Sequence, residues 1–165
     1  EDRLRRLLND DEIGAVAMAD LDRFKLLNDR YGHEAGDRAL RMFADAVQES
    51  LRGDDWIGRW GGEEFLLVMP GLGVHEAKEA LDRVRTHLAD ACVRAEAPAV
   101  TVSMGVVDTT AATAADELVR LADDALLVAK AQGRDRVIPG PVMGSIPDDL
   151  GRDEVDDDVA DASMS

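Results

Sequence analysis

Gly61-Gly62-Glu63-Glu64-Phe65 lies between the apolar pair Trp56-Ile57 and the run Phe65-Leu66-Leu67-Val68-Met69, so it reads as the tip of a β-hairpin. Two glycines remove the side chains that would keep a ligand away from the backbone. Two carboxylates follow at the start of a strand, where successive side chains point to opposite faces. Such a tip can admit a phosphate while presenting acidic ligands to a hard cation. A Gly-Gly pair is also an ordinary hairpin turn, so the meaning of this one depends on the rest of the chain.

Upstream, Ile13 to Ala19 is a small, wholly apolar run that ends in Asp20-Leu21-Asp22. That is the pattern of a buried strand delivering acids at its C-terminal end. Leu4, Leu7 and Leu8 fall at helical spacing, so residues 2 to 9 form the end of a helix entering the domain. Leu40, Phe43, Ala44, Val47 and Leu51 predict a helix with one apolar stripe. Val74, Ala77, Leu81, Val84, Leu88 and Ala91 mark another after the hairpin. Val100 to Val107 has the composition of a strand, and Thr113-Ala114-Ala115-Asp116 reads as a capping box opening a further helix. That helix turns Leu118, Leu121, Ala122, Ala125 and Ala129 inward and stops near Gly133; Val137-Ile138 then closes the sheet. The expected fold is α/β, an α+β sandwich in which helices flank a central, mostly antiparallel five-stranded sheet.

Composition narrows the function. The 165 residues suffice for one domain with a real core, and 45% of them are hydrophobic. No apolar run approaches the roughly 20 residues that span a bilayer, and the N-terminus lacks a signal-peptide pattern. A single cysteine, Cys92, fits a reducing compartment, so a cytoplasmic location is expected, even for a parent protein attached to a membrane through some other segment. The net charge of −16 argues against gripping a nucleic-acid polymer. Residues 139–165 hold eight acids against the one base Arg152, with little apolar periodicity, and read as a disordered acidic tail behind a domain of residues 1–138. Asp156-Asp157-Asp158 lacks the spacing and glycine of a calcium loop.

If the first strand pairs with the hairpin, Asp20 and Glu63 can reach one magnesium ion, with the Leu21 carbonyl at a third position. Glu64 then allows a second ion, or a base near an attacking hydroxyl. Taken singly, Asp22 is as well explained as a helix cap, and the glutamates as solvated hairpin charges. Asn28 and Asp37 flank the turn Gly32-His33-Glu34-Ala35-Gly36. A carboxylate there can accept from guanine N1–H and its exocyclic amine, although an acid at a helix start also complements the dipole. Lys25, Lys130 and Arg134 can hold a triphosphate, while the last two equally suit a helix C-terminus. No Gly-rich phosphate loop ending Gly-Lys-Ser/Thr, Cys-x-x-Cys pair or zincin helix is present; His87 and Cys92 read as packing or surface residues.

Together, Asp20 to Asp37, Arg59 to Phe65, Thr101 to Val106 and Ala122 to Arg134 resemble the GGDEF family of diguanylate cyclases in its Gly-Gly-Glu-Glu-Phe form. The blocks keep the family's order and spacing over residues from about 11 to 138. The resemblance implies a fold similar to the nucleotidyl cyclase and polymerase palm, and the condensation of two GTP into cyclic di-GMP and two pyrophosphates. It assigns Asp20, Leu21 (by its carbonyl), Glu63 and Glu64 to magnesium, or manganese in its place. Glu64 is alternatively the activator of the 3′-hydroxyl. It assigns Phe24, Lys25, Asn28, Asp37, Gly62, Lys130 and Arg134 to GTP. One GTP per subunit implies a homodimer, at least a transient one.

Arg52-Gly53-Asp54-Asp55 stands where the family places an Arg-x-x-Asp inhibitory site, which implies that Arg52, Asp55 and Arg83 bind the product. A plain salt bridge at a helix end is the simpler alternative for that pair. The family's usual opening, Asp-x-Leu-Thr-Gly-Leu-x-Asn-Arg-Arg, does not occur, and Leu127 replaces a common tyrosine. A module of a longer signalling protein with a sensory domain is therefore expected. Two rival readings are a catalytically silent module that binds GTP or cyclic di-GMP and a palm-type transferase acting on a polymer. The intact acids weigh against the first, the acidic surface against the second.

Overall fold

The computed structural model describes residues 2–9 and 12–141. Strand β1, Gly14–Leu21, is buried at every position, which explains its apolar run from Ala15 to Ala19. It pairs antiparallel on one edge with β3, Glu64–Pro70, and on the other with β4, Val102–Asp108. Strand β2, Trp56–Arg59, pairs antiparallel with β3, and β5, Val137–Pro139, runs parallel to β4. The sheet order is β2-β3-β1-β4-β5, the five-stranded, mostly antiparallel arrangement expected from sequence.

Strand alternation divides the core in two. Ala15, Ala17, Ala19 and Leu21 of β1 meet α2 (Phe24–Tyr31), α3 (His33–Ser50) and α4 (Val74–Arg94) through Leu27, Phe43, Leu81 and Leu88. Phe43 stacks obliquely on Phe65 of β3, ring centroids 4.8 Å apart, worth about 1 kcal/mol beyond burial. Val16 and Met18, on the opposite face, meet α1 (Asp2–Asn9) and α5 (Ala115–Ala131) through Leu4, Leu118, Ala122 and Leu126. Asp20 has the same parity as Val16 and Met18, so it emerges beneath the C-terminal end of α5.

Local structure departs from the sequence reading at five places. Ile13 is 61% exposed, and the strand starts at Gly14. The predicted turn 32–36 is a break at Gly32 alone, where φ is +88°, and α3 begins at His33. Gly36 is helical; its missing side chain makes room for Asn28, whose Oδ1 would lie 1.9 Å from a Cβ there. Thr113 caps nothing, because α5 starts at Ala115 behind Ala114 with no side-chain cap. Asp22 does not cap α2 either, whose N-cap is Arg23 in the left-handed region (φ 53°). On α5, Leu126 is fully buried and Leu121 partly so. The acidic stretch beyond residue 141 lies outside the described residues.

The tightest helix–sheet approach is at Gly105 of β4. A Cβ there would lie 2.1 Å from the Ala122 carbonyl oxygen and 2.3 Å from the Leu126 nitrogen of α5. Backbone atoms cannot yield as a side-chain end can. Gly105→Ala is expected to cost about 1–3 kcal/mol or more, read from the urea unfolding midpoint; unchanged stability would mean that α5 seats less closely than described.

Candidate active site

Register brings the candidate acids together. Asp20 stands directly opposite Glu64 across the β1–β3 ladder, which puts the two side chains on one face. Leu21 N–H donates to the Glu63 carbonyl at 3.2 Å. Among the described residues the return bond, from Glu63 N–H to the Leu21 carbonyl, is not formed, leaving that oxygen available to a ligand. Lys130, in the last turn of α5, donates to Asp20 Oδ2 at 2.7 Å. Burial pushes the Asp20 carboxyl up to about 6 from 3.8; Lys130, by charge and hydrogen bond, pulls it down, and the charges of Glu63 and Glu64 add to the rise. Burial works against the Lys130 charge too, yet Asp20, with Glu64 and Asp123, holds its pKa above the ordinary lysine value. The pair attracts in both directions. The outcomes differ because the Asp20 side chain is 11% exposed and that of Lys130 30%.

The hairpin tip is shaped by main-chain bonds. Trp60 N–H and Gly61 N–H both donate to the Glu64 carbonyl, at 2.8 and 3.2 Å. Arg59 folds back over the tip, its Nε and Nη2 donating to the Gly62 carbonyl at 3.0 and 2.6 Å. A Cβ on Gly61 would meet the Glu64 carboxylate at 2.7 Å, whereas one on Gly62 would meet nothing within 4 Å. Gly62 thus answers no internal packing need, and the space above it is open to a ligand.

A second group forms where α2 crosses α3. Phe24 and Asn28 both press on Gly36, beside Asp37, and Asn28 Oδ1 is buried without a hydrogen-bond partner. An orphaned acceptor aimed at a crossing is costly unless a ligand completes it. Asp37 is exposed and lines a cleft of about 500 Å³ with Tyr31, Glu34 and Arg38. Arg134 lines another of about 400 Å³ with Arg23 and Arg30, and Lys25 is exposed on α2. Neither cleft includes Asp20, Glu63 or Glu64, so the acidic centre lies beside these hollows.

Arg52 and Asp55 meet in a turn bonded mostly within itself, although Asp55 Oδ1 is buried without a hydrogen-bond partner, 3.6 Å from Arg52 Nη2. Asp55 Oδ2 accepts from the Arg52 N–H at 2.8 Å, the Arg52 carbonyl accepts from Asp55 N–H at 3.0 Å, and Arg52 Nη2 donates to the Pro70 carbonyl at 2.8 Å. The Asp55 side chain is 1% exposed against 55% for Arg52. Arg83 is exposed on α4.

Three residues escaped the sequence reading of the site. Asp22, 7% exposed, accepts from Thr101 Oγ1 and Ser103 Oγ, each at 2.7 Å, and from Asp135 N–H at 3.1 Å. Its position two residues after Asp20, on the same strand face, was the available signal. Arg59 was legible as a cation beside the Gly-Gly tip. Arg85, which reaches Asp135 from α4, carries no local signal, because the pair is 50 residues apart.

The donor set suits a divalent cation shared with a substrate. Among the described residues no three His, Cys, Asp or Glu side chains converge closely enough to hold a metal by themselves. Asp20, the Leu21 carbonyl and a neighbouring glutamate could hold such an ion only in part, and the other positions would fall to substrate oxygens, the usual pattern for magnesium. Among the described residues no helix is long and apolar enough to cross a membrane.

A palm-like sheet with acids at the ends of adjacent central strands defines a class of nucleotidyl-transfer folds. Residues 1–136 match the family model described as "Diguanylate cyclase, GGDEF domain", and the chain belongs to that family. Diguanylate cyclase DgcM of Escherichia coli is 38% identical over 124 residues, 75% of this chain and 30% of its own. The diguanylate cyclase SiaD of Pseudomonas aeruginosa, solved with its activator SiaC, superposes with a TM-score of 0.78 at 39% identity, covering 84% of this chain and 56% of that one. The GGDEF domain of DgcB from Caulobacter crescentus, solved with c-di-GMP, gives 0.74 at 25% identity over 84% and 86% of the two chains. The chain spans less than a third of the length of the curated relatives it matches.

Asp20 supplies a pH signature in the metal-free protein. Its folded pKa lies above its unfolded value, so its contribution to stability is complete below about pH 4 and is lost as pH rises through about 6. Asp20→Asn cannot ionise. With chelator present, the stability of the variant relative to the parent is expected to grow by up to about 3 kcal/mol between pH 4 and 7. Parallel pH profiles in urea unfolding would contradict the buried placement of this carboxylate.

Proposed function

We propose that residues 1–138 form a diguanylate cyclase domain that condenses two GTP into cyclic di-GMP and two pyrophosphates. The observation that carries this reading is the facing pair Asp20–Glu64, with Glu63 alongside, Lys130 bonded to Asp20, and open space over Gly62. Asp20, Glu63 and the Leu21 carbonyl would hold magnesium, with manganese able to replace it. When bound, the ion neutralises charge between the carboxylates and a triphosphate that an acidic site would otherwise repel.

The chain's own side chains do the rest. Asn28 and Asp37 read the guanine edge, with Phe24 beside Asn28 at the helix crossing; the buried, unpartnered Asn28 Oδ1 supports a ligand there. Lys25, Lys130 and Arg134 hold the phosphates. Lys130 leaves Asp20 for a phosphate oxygen as substrate enters, exchanging one anionic partner for another. Glu64 takes the proton of the 3′-hydroxyl, or else serves as a further metal ligand. The 3′-oxygen forms a bond to the α-phosphorus of the opposite nucleotide, the bond from that phosphorus to the bridging oxygen breaks, and pyrophosphate leaves. Each subunit carries one GTP, so two copies face each other at turnover. Product binds at Arg52 with Asp55 and Arg83; the exposed Arg52 guanidinium makes the contact while Asp55 keeps the turn in shape.

The defining experiment is incubation with GTP and magnesium, with ATP in parallel, across protein concentrations. Cyclic di-GMP from GTP alone, with specific activity rising with concentration, is expected. Absence of product from a folded chain that still binds GTP would favour a silent binding module. Glu64→Gln removes charge at nearly constant volume, and is expected to lower turnover by about a hundredfold or more while leaving the thermal melt intact. Full activity would remove Glu64 from the mechanism. Arg52→Ala is expected to relieve inhibition by added cyclic di-GMP; unaltered inhibition would leave the Arg52–Asp55 turn a purely structural feature.

A further inference from the structure

The segment after α5 has an unusual backbone. Gly133, Arg134 and Asp135 have φ values of +110°, +64° and +46°, three successive residues in the left-handed range, two of them carrying side chains. L-residues enter that region singly and at a cost, so a run of this kind has to be held in place by its surroundings. It is held from two sides. Asp22 Oδ2 accepts from the Asp135 N–H at 3.1 Å, and Arg85 of α4 donates through Nε and Nη2 to Asp135 Oδ1 at 3.1 and 3.0 Å. Asp22 is itself fixed by β4 and the residue before it, since Thr101 Oγ1 and Ser103 Oγ each donate to it at 2.7 Å. Asp20 and Asp22 thus grip successive parts of one segment: Lys130 in the last helical turn, and Asp135 in the loop beyond.

We propose that Asp22 is a positioning residue for nucleotide binding, its β4-anchored carboxylate holding the left-handed turn so that Arg134 is presented to the triphosphate. The inference rests on the assignment of Arg134 to the phosphates made above. A carboxylate two residues from Asp20 invites a competing account, direct metal ligation, and substitution chemistry separates the two. Asn in place of Asp22 can keep its oxygen toward Thr101 and Asp135 while its amide donates to the Ser103 hydroxyl, which accepts as readily as it donates. Positioning therefore survives Asp22→Asn and fails in Asp22→Ala. Ligation through charge fails in both.

The test is calorimetric titration with a GTP analogue bearing a methylene α,β-bridge, in magnesium, on the parent, Asp22→Ala, Asp22→Asn, Arg134→Ala and the double variant Asp22→Ala/Arg134→Ala. Asp22→Ala is expected to weaken binding by about tenfold, Asp22→Asn to restore most of it, and Asp22→Ala to add nothing once Arg134 is gone. Arg85→Ala frees the turn from its other side without touching the strand. It is expected to show the same dependence on Arg134, and carries the test if Asp22→Ala does not fold. Equal losses in the presence and absence of Arg134, unchanged affinity in folded Arg85→Ala, or an Asp22→Asn as weak as Asp22→Ala would each overturn the proposal. Failure of the parent to bind the analogue would overturn the nucleotide assignment itself, and this inference with it, whereas parent binding with additive losses overturns only the positioning role.

Discussion

A strand buried on both faces that ends in a carboxylate imposes the constraint from which the rest of the site follows. β1 has no exposed residue to spend on solvation, and Asp20 is its last outward member on the α5 side. Burial there favours the neutral acid, and the nearby glutamate charges favour it further. A cation must stand close if the group is to ionise near neutral pH. In this structure Lys130 is that cation, delivered by the last turn of α5. The length and seating of α5 are therefore bound to the electrostatics of β1. Gly105 completes the connection, because only a residue without a side chain lets α5 approach β4 closely enough.

Space is allocated as deliberately as charge. Gly36, Gly58 and Gly105 each accommodate a named neighbour: the Asn28 amide, the Trp56 ring and the α5 backbone. Gly62 accommodates none. A glycine that serves no internal contact, on a tip whose carbonyl is fixed by Arg59, suits a surface meant for something outside the chain. The Arg52–Asp55 turn shows the complementary case. Its main-chain groups and the Arg52 guanidinium bond within the turn and to Pro70, while Asp55 Oδ1 stays buried without a partner.

The chain is acidic overall, whereas the proposed substrate carries several negative charges. Lys130 closes α5, Arg134 follows it and Lys25 is exposed on α2, so the proposed phosphate partners are cations set against the acidic centre of Asp20, Glu63 and Glu64.

Sequence alone determined much of this. The apolar run before Asp20, the Gly-Gly-Glu-Glu tip and the amphipathic spacing of α4 and α5 are local patterns, and they suffice for the five strands and the main helices. It failed where a local pattern had two physical uses. Glycines at 32 and 36 looked like one turn, but one breaks a helix and the other receives Asn28 from the helix before it. Asp22 looked like a cap because caps are local; its partners Thr101, Ser103 and Asp135 lie 79 to 113 residues away. Which acid faces Asp20 was likewise a matter of register, and the ladder chose Glu64. Residue type and period are written along the chain, but the choice among hydrogen-bond partners is made only when strands align and helices close over them, and only the tertiary structure records it.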